Sequence, residues 1–417
     1  MASTFAWLDH SESDRRKALD VVDLFREQDT RDELGIGTVR DALADSLFPG
    51  ISTIQTRAKY LLFIPWIYQA LEAGRTKSSD VARLARRHEI DLIYQLLKSD
   101  DTDGVIGKDA KAGLQRLPSS VYWAGLGVFG IRRYQGSLDQ YHRSLDGFYL
   151  GRRQVHASAE DGIVELFKPQ TNWHEGLPSA PDGFPEGVSL QLREEEAEYL
   201  HQQIMTNVPG TLIAFLVDQG EWWDAVSFPW HHPQVGECAS HVKAQLHHAE
   251  LFSLIMLGAA LLYNLMLAEK RASSGNGGAG SQEGLVGRYR NALDDWYGEV
   301  EDKRGTLDRW VESHSDFWEV IHRVNPRIPI PTVHFINTWT DIALGSDGID
   351  TLIGARAARD LIHHRERRLK RALARLDNPR ALEMWSGAAG TQQLTYRWQQ
   401  VQTIVQDILR GLGRGQG

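Results

Sequence analysis

Nine polar and basic side chains stand out for the chemistry they could do together. Gln55, Arg57 and Lys59 lie in residues 34–68, LGIGTVRDALADSLFPGISTIQTRAKYLLFIPWIY. Arg365, Arg367, Arg368, Lys370, Arg371 and Arg375 lie in residues 355–376, ARAARDLIHHRERRLKRALARL. Guanidinium and ammonium groups grouped at helical spacing neutralise phosphates or meet an acidic partner. In the first stretch Pro49 and Gly50 make a sharp break. Ser52 or Thr53 then offers a side-chain oxygen to cap a new helix. That helix opens polar (Gln55, Thr56, Arg57, Lys59) and continues apolar (Leu61, Leu62, Phe63, Ile64, Trp66). Helix, turn and helix with a basic first turn is the pattern of a helix-turn-helix, and equally of a helical hairpin in an all-helical core. In the second stretch Leu361, Ile362, Leu369, Leu373 and Leu376 form an apolar side opposite the cations, Arg356 and Arg359 included. Its basic face reads either as a contact surface or as a solvated outer face.

Other chemistries find less support. His231-His232, His247-His248 and His363-His364 are adjacent pairs, and adjacent residues point to different faces of a helix. His247 and Glu250 could share a face, but the order reverses that of a Glu-x-x-His carboxylate site, and no HExxH occurs. There is no GxxxxGK phosphate loop, no GxGxxG after a strand and no GxSxG elbow. The acidic groups Asp100, Asp101, Asp103 and Glu194, Glu195, Glu196 read as a turn and a helix start. The residues imply no metal, cofactor or catalytic set.

These side chains must be carried by helices. The chain of 417 residues is 42% hydrophobic, enough for a large core, and its thirteen Trp suit packing between helices. Net charge is −9, so nucleic-acid affinity would have to come from local patches. The lone Cys238 fits a reducing cytoplasm, and the start MASTFAWLDHSESDRRK has charges where a leader would be apolar. Residues 251–268, LFSLIMLGAALLYNLMLA, have the minimum length of a membrane span; the polar insertions Ser253, Tyr263 and Asn264 favour a buried central helix.

Helical periodicity predicts elements over 13–27, from Ser78 or Ser79 to Lys98, a short helix and loop over 121–134, and a helix from Ser137. Others follow over 192–207, from Pro209, over 285–324, over 350–376 and over 392–412. Residues 151–191, rich in Pro and Gly, read as an irregular connection with a strand pair at 162–167 and 188–192. Residues 272–284 read as a flexible loop, and 325–331 as extended. The expected fold is mainly α: a large multi-helix bundle with a central buried apolar helix and a few short strands near 160–192. The expected domains are 1–150, with the helix-turn-helix-like segment 37–68, and 192–417.

The N-terminal run from STFAWLD through DTRDELGIG to TRAKYLLFIPWIY, with LGAALLYNLMLAEK (257–270) and YRWQQVQTIVQDILRGL (396–412), resembles the signature of an uncharacterised bacterial family, a domain of unknown function. The resemblance covers the whole chain. It implies a place among anti-phage defence genes, beside ATPase, helicase or nuclease components, and brings no catalytic residue. Together these readings lead to the expectation of a cytoplasmic, non-catalytic component of a defence system, with no membrane association. It would bind DNA or a partner protein through the nine residues named above. A nuclease or nucleotide-modifying enzyme whose site the spacing hides, and a purely structural adaptor, stay open as alternatives.

Overall fold

A computed structural model describes residues 32–160, 171–274 and 279–415. The described elements are helical: α1 (Gly37–Leu47), α2 (Tyr60–Ala73), α3 (Ser78–Leu96), α4 (Pro118–Val128), α5 (Leu138–Glu160), α6 (Glu194–Asn207), α7 (Leu212–Gln219), α8 (Ser240–Ser273), α9 (Ala279–Asp302), α10 (Arg304–Glu312), α11 (His314–Val324), α12 (Ile330–Leu344), α13 (Ile349–Gly354), α14 (Arg356–Lys370), α15 (Pro379–Glu383) and α16 (Trp398–Gly411). The mainly α expectation is met. The chain groups into two units. One joins the described residues up to Ala42 with His248–Leu394; the other joins Leu43–His247 with the chain from Thr395. This differs from the sequential division at 150 and 191. Composition marks where the chain changes character, whereas the grouping is set by packing, which brings α16 onto α6 and α7.

In the second of these units, α2 is apolar on every side from Tyr60 to Tyr68 and buries Leu61, Leu62, Phe63, Ile64, Trp66 and Ile67. Helices α3 and α4 pack on it, and α5 packs on α3. An aromatic cluster of Tyr68, Trp123, Tyr141 and Trp173 surrounds Glu72. The Glu72 carboxylate accepts from Tyr141, from Asn172 Nδ2 (3.1 Å) and from Trp173 Nε1 (3.0 Å). At the start of α4, Ser119 donates its N–H and its Oγ–H, each at 2.8 Å, to the buried Glu89.

In the other unit, the expected buried apolar helix is the middle of α8. It is the one described helix long and apolar enough to cross a membrane, and 89% of its most apolar window is buried inside the protein. Indole N–H groups hold it: Trp296 donates to the Leu254 carbonyl (2.7 Å) and Trp339 to that of Ile255 (2.8 Å). Gly258 makes this approach possible, because a Cβ there would lie 2.2 Å from the Trp296 ring.

Several element boundaries differ from expectation. No strand occurs among the described residues. The predicted 162–167 strand and the 13–27 helix lie outside them, and 188–192 is irregular. Val188, Leu190 and Leu192 are indeed buried in alternation, but they pair with no strand; an isolated bridge joins Arg132 and Trp173 instead. α5 continues past 151 to Glu160. α7 starts at Leu212, its N-terminus capped by Thr211 rather than begun by Pro209. Helix resumes at Ala279, which shortens the loop predicted over 272–284. The predicted 350–376 helix is broken where Ala355 is extended, and stops where Arg371 takes φ +51°. The last helix starts at Trp398, after Tyr396 and Arg397 with positive φ.

Gly258→Ala should destabilise the fold by about 1–3 kcal/mol, since the added methyl must displace a packed indole. Urea unfolding measures this; an unchanged midpoint would show that Trp296 can move aside freely. A second expectation concerns pH. Burial pushes the Glu89 carboxyl up from 4.5 to about 7, against the opposing hydrogen bonds from Ser119. An acid with a raised folded pKa binds more protons folded than unfolded, so stability falls as pH rises from about 4.5 to about 7. This group should contribute a loss on the order of 3 kcal/mol over that window. Glu89→Gln should flatten that part of the stability profile, and an unchanged slope in the variant would assign the effect to other groups.

Candidate functional site

The first group of candidate residues does not open a helix. Residues 51–59 are irregular and α2 begins at Tyr60, so neither Ser52 nor Thr53 caps it. Local hydrogen bonds explain the difference. Gln55 donates Nε2 to the Gly50 carbonyl (3.1 Å) and accepts the Ser52 N–H (3.3 Å). The Tyr122 hydroxyl accepts the N–H groups of Thr56 (2.8 Å) and Arg57 (3.0 Å) and donates to the Arg57 carbonyl (2.8 Å). The donors that a first helical turn would leave free are used here by side chains.

The charges of this segment face inward. Arg57 is 7% exposed and Lys59 5%. Arg57 Nε lies 3.0 and 2.9 Å from the two oxygens of Asp407 in α16, and its terminal nitrogen meets Asp101 (2.8 Å) and the Asp103 carbonyl (2.9 Å). Asp407 also accepts the Ala58 N–H at 3.0 Å. Burial raises the Asp407 carboxyl, and Arg57 and the Ala58 N–H pull it back. Lys59 is paired with Glu196 and donates to the Gln191 carbonyl (3.0 Å). Burial lowers its ammonium, with Glu196 opposing. Glu196 in turn accepts the Arg193 N–H at 2.8 Å and closes the N-terminus of α6.

The second group divides along α14. Arg365 is buried and donates to the carbonyls of Leu34 (2.8 Å), Gly35 (2.8 Å) and Pro331 (3.1 Å), and to Thr332 Oγ1 (2.9 Å). Burial lowers its guanidinium from the usual value, Asp32 opposing and Arg368 adding to the effect. Gly35 has φ +67°, and a Cβ there would meet Arg365 at 2.7 Å, so this position requires glycine. Lys370 is paired with Glu33, and Arg375 meets the same carboxylate at 2.9 Å. Burial alone would raise Glu33; the two cations outweigh it and hold the carboxyl low. The fully buried Glu366 accepts the Tyr263 hydroxyl (2.5 Å) and the N–H groups of Arg375 (2.9 Å) and Leu376 (3.0 Å). Arg365, Lys370 and Arg375 are therefore not part of a solvated basic face. They clamp residues 33–35 and the end of α14.

Arg367, Arg368 and Arg371 are different. All three are exposed, and their side chains make no hydrogen bond or ion pair among the described residues. Arg356 lies about three helical turns before Arg367, its side chain 93% exposed, with a weak pair to Asp360 at 3.3 Å. Arg367 and Arg371, with Ala372 and Asp377, line an open depression of about 510 Å³. Asp377 accepts from His363 Nε2 at 2.7 Å; that hydrogen bond, with Arg367 adding, holds its carboxyl below the usual range.

The residues that sequence reasoning missed are the carboxylates Asp407, Glu196, Glu33 and Glu366. A signal existed for two of them. Asp407 interrupts the apolar face of Val401, Ile404, Val405 and Ile408, and Glu366 is one of only two acids, with Asp360, among the cations of its helix segment. Among the described residues no group of three or more His, Cys, Asp and Glu side chains is placed to hold a metal ion. Glu250 is paired with Lys303, and Cys238 is buried, its thiol pushed up to about 11 by burial.

The sequence profile of a family of unknown function, DUF6361, matches residues 2–409. The chain belongs to this family. The DUF6361 match takes in both candidate groups and the segments carrying their carboxylate partners. Comparison with curated proteins and with solved structures gives no match.

Asp407→Ala would leave Arg57 short of its main partner in a buried setting, and should destabilise by about 3–5 kcal/mol. Chemical denaturation checks this. A loss below about 1 kcal/mol, the range of exposed pairs, would show that water reaches the site.

Proposed function

We propose that the protein is a non-catalytic component of a bacterial anti-phage defence system. In this reading it contacts DNA through the outer face of α14, with Arg367, Arg368 and Arg371 on backbone phosphates. The observation that carries this is the division of the candidate cations. Gln55, Arg57, Lys59, Arg365, Lys370 and Arg375 are engaged inside the protein, while these three guanidiniums face solvent with no internal acceptor. An arginine offers five N–H donors in a fork that matches phosphate oxygens. The chain is acidic overall, at net −9, so the attraction is confined to this patch rather than to the whole surface. The defence setting and the cytoplasmic location rest on the resemblance of the N-terminal signature and on the single cysteine.

Anisotropy titration of a duplex against salt tests the reading. Affinity should fall with a log–log slope near 0.9 per phosphate contact. Reversing Arg367, Arg368 and Arg371 to Glu should weaken binding and flatten the slope by about three such contacts, with the far-ultraviolet circular dichroism unchanged because the side chains are exposed. Absence of binding at low salt would reject DNA as the partner. Retained binding in the triple variant would move the contact elsewhere on the chain.

A further inference from the structure

We infer that the depression between Arg367 and Arg371 is a subsite for a phosphate monoester, the terminal phosphate of a DNA strand. This rests on the DNA reading above and narrows it from continuous backbone to strand ends. The two arginines are four residues apart, one on the last turn of α14 and one where the chain leaves it. That spacing makes them neighbours on one face, and Arg371 adopts φ +51° and ψ −121°, a backbone conformation that side-chain-bearing residues rarely take. Strain of this kind concentrates at functional positions. The depression is open to solvent and, at about 510 Å³, has room for a phosphate and part of the group that bears it.

Charge and shape both favour a terminal group. A phosphate monoester carries nearly two negative charges near neutral pH, its second pKa being about 6, whereas an internal diester carries one. Two unpaired guanidiniums match the dianion. An internal phosphate can also reach these arginines, but a terminal one carries more charge and turns three non-bridging oxygens toward them rather than two. The carboxylate in the lining, Asp377, opposes an anion, but it already accepts a hydrogen bond from His363. A ligand held against it therefore needs both arginines, which makes the site sensitive to the loss of either.

The test compares one oligonucleotide sequence in four forms: 5′-phosphorylated, 3′-phosphorylated, unphosphorylated, and within a closed circle. Thymidine 5′-monophosphate serves as the free probe. A phosphorylated end should bind about tenfold more tightly than a hydroxyl end, the effect of one added charge-assisted contact. Arg371→Gln and Arg367→Gln should each abolish that difference while leaving weaker, salt-dependent binding. Asp377→Asn should widen the difference by removing the opposing charge, a gain that a structural role would not produce. Equal affinity for phosphorylated and unphosphorylated ends, or an end preference that survives Arg371→Gln, overturns the inference. Binding of circle and linear forms alike overturns it while leaving the DNA contact standing; no binding of any DNA removes both. Thymidine monophosphate binding that matches the strand end and is lost in Arg371→Gln supports the subsite and assigns a free nucleotide as its source.

Discussion

A cation removed from water has to be met by a carboxylate or by several oxygens, and in each unit the irregular backbone depends on that requirement. Residues 51–59 have neither helix nor sheet to hold them. Their course is fixed because Arg57 must reach Asp407 and Asp101, and Lys59 must reach Glu196. In the other unit, Arg365 gathers the carbonyls of Leu34, Gly35 and Pro331, and Glu33 collects Lys370 and Arg375. A hydrophobic contact would tolerate some sliding of these segments. A buried guanidinium with four defined acceptors does not, because each lost acceptor leaves an unsatisfied donor.

The same requirement explains what the sequence could reveal. Helices were legible because burial on one side repeats every three to four residues, and the middle of α8 because it is apolar all round. The direction in which a charge points was not. Arg57 and Arg367 look alike in sequence, each in a polar stretch beside apolar residues. They differ because a carboxylate 350 positions away lies beside Arg57 and no carboxylate pairs with Arg367. That information is in the packing and not in any local window. Val188, Leu190 and Leu192 teach a related lesson. Alternating burial is the signature of a half-buried strand, but it requires only an extended chain against a core. The Gln191 carbonyl, which a strand would give to a neighbour, goes to Lys59 instead.

Within the basic helix, burial and exposure are complementary. Lys370 and Arg375 bring charge inward and are neutralised by Glu33, with Glu366 and the Tyr263 hydroxyl completing the set. This removes the end of α14 from the population of fraying helix termini, because its last turn and the residues after it are tied to buried groups. The outward arginines therefore stand on a fixed base. A side chain whose backbone is already ordered loses less freedom when it meets a ligand, and more of its interaction appears as affinity. Glu366 touches no solvent and could not contact DNA, but it determines where Arg367 and Arg371 sit. The division of one cationic helix into an inner set that is neutralised and an outer set that is not lets an acidic protein present a confined positive surface. The inner pairs fix the position of that surface in a chain whose net charge is −9.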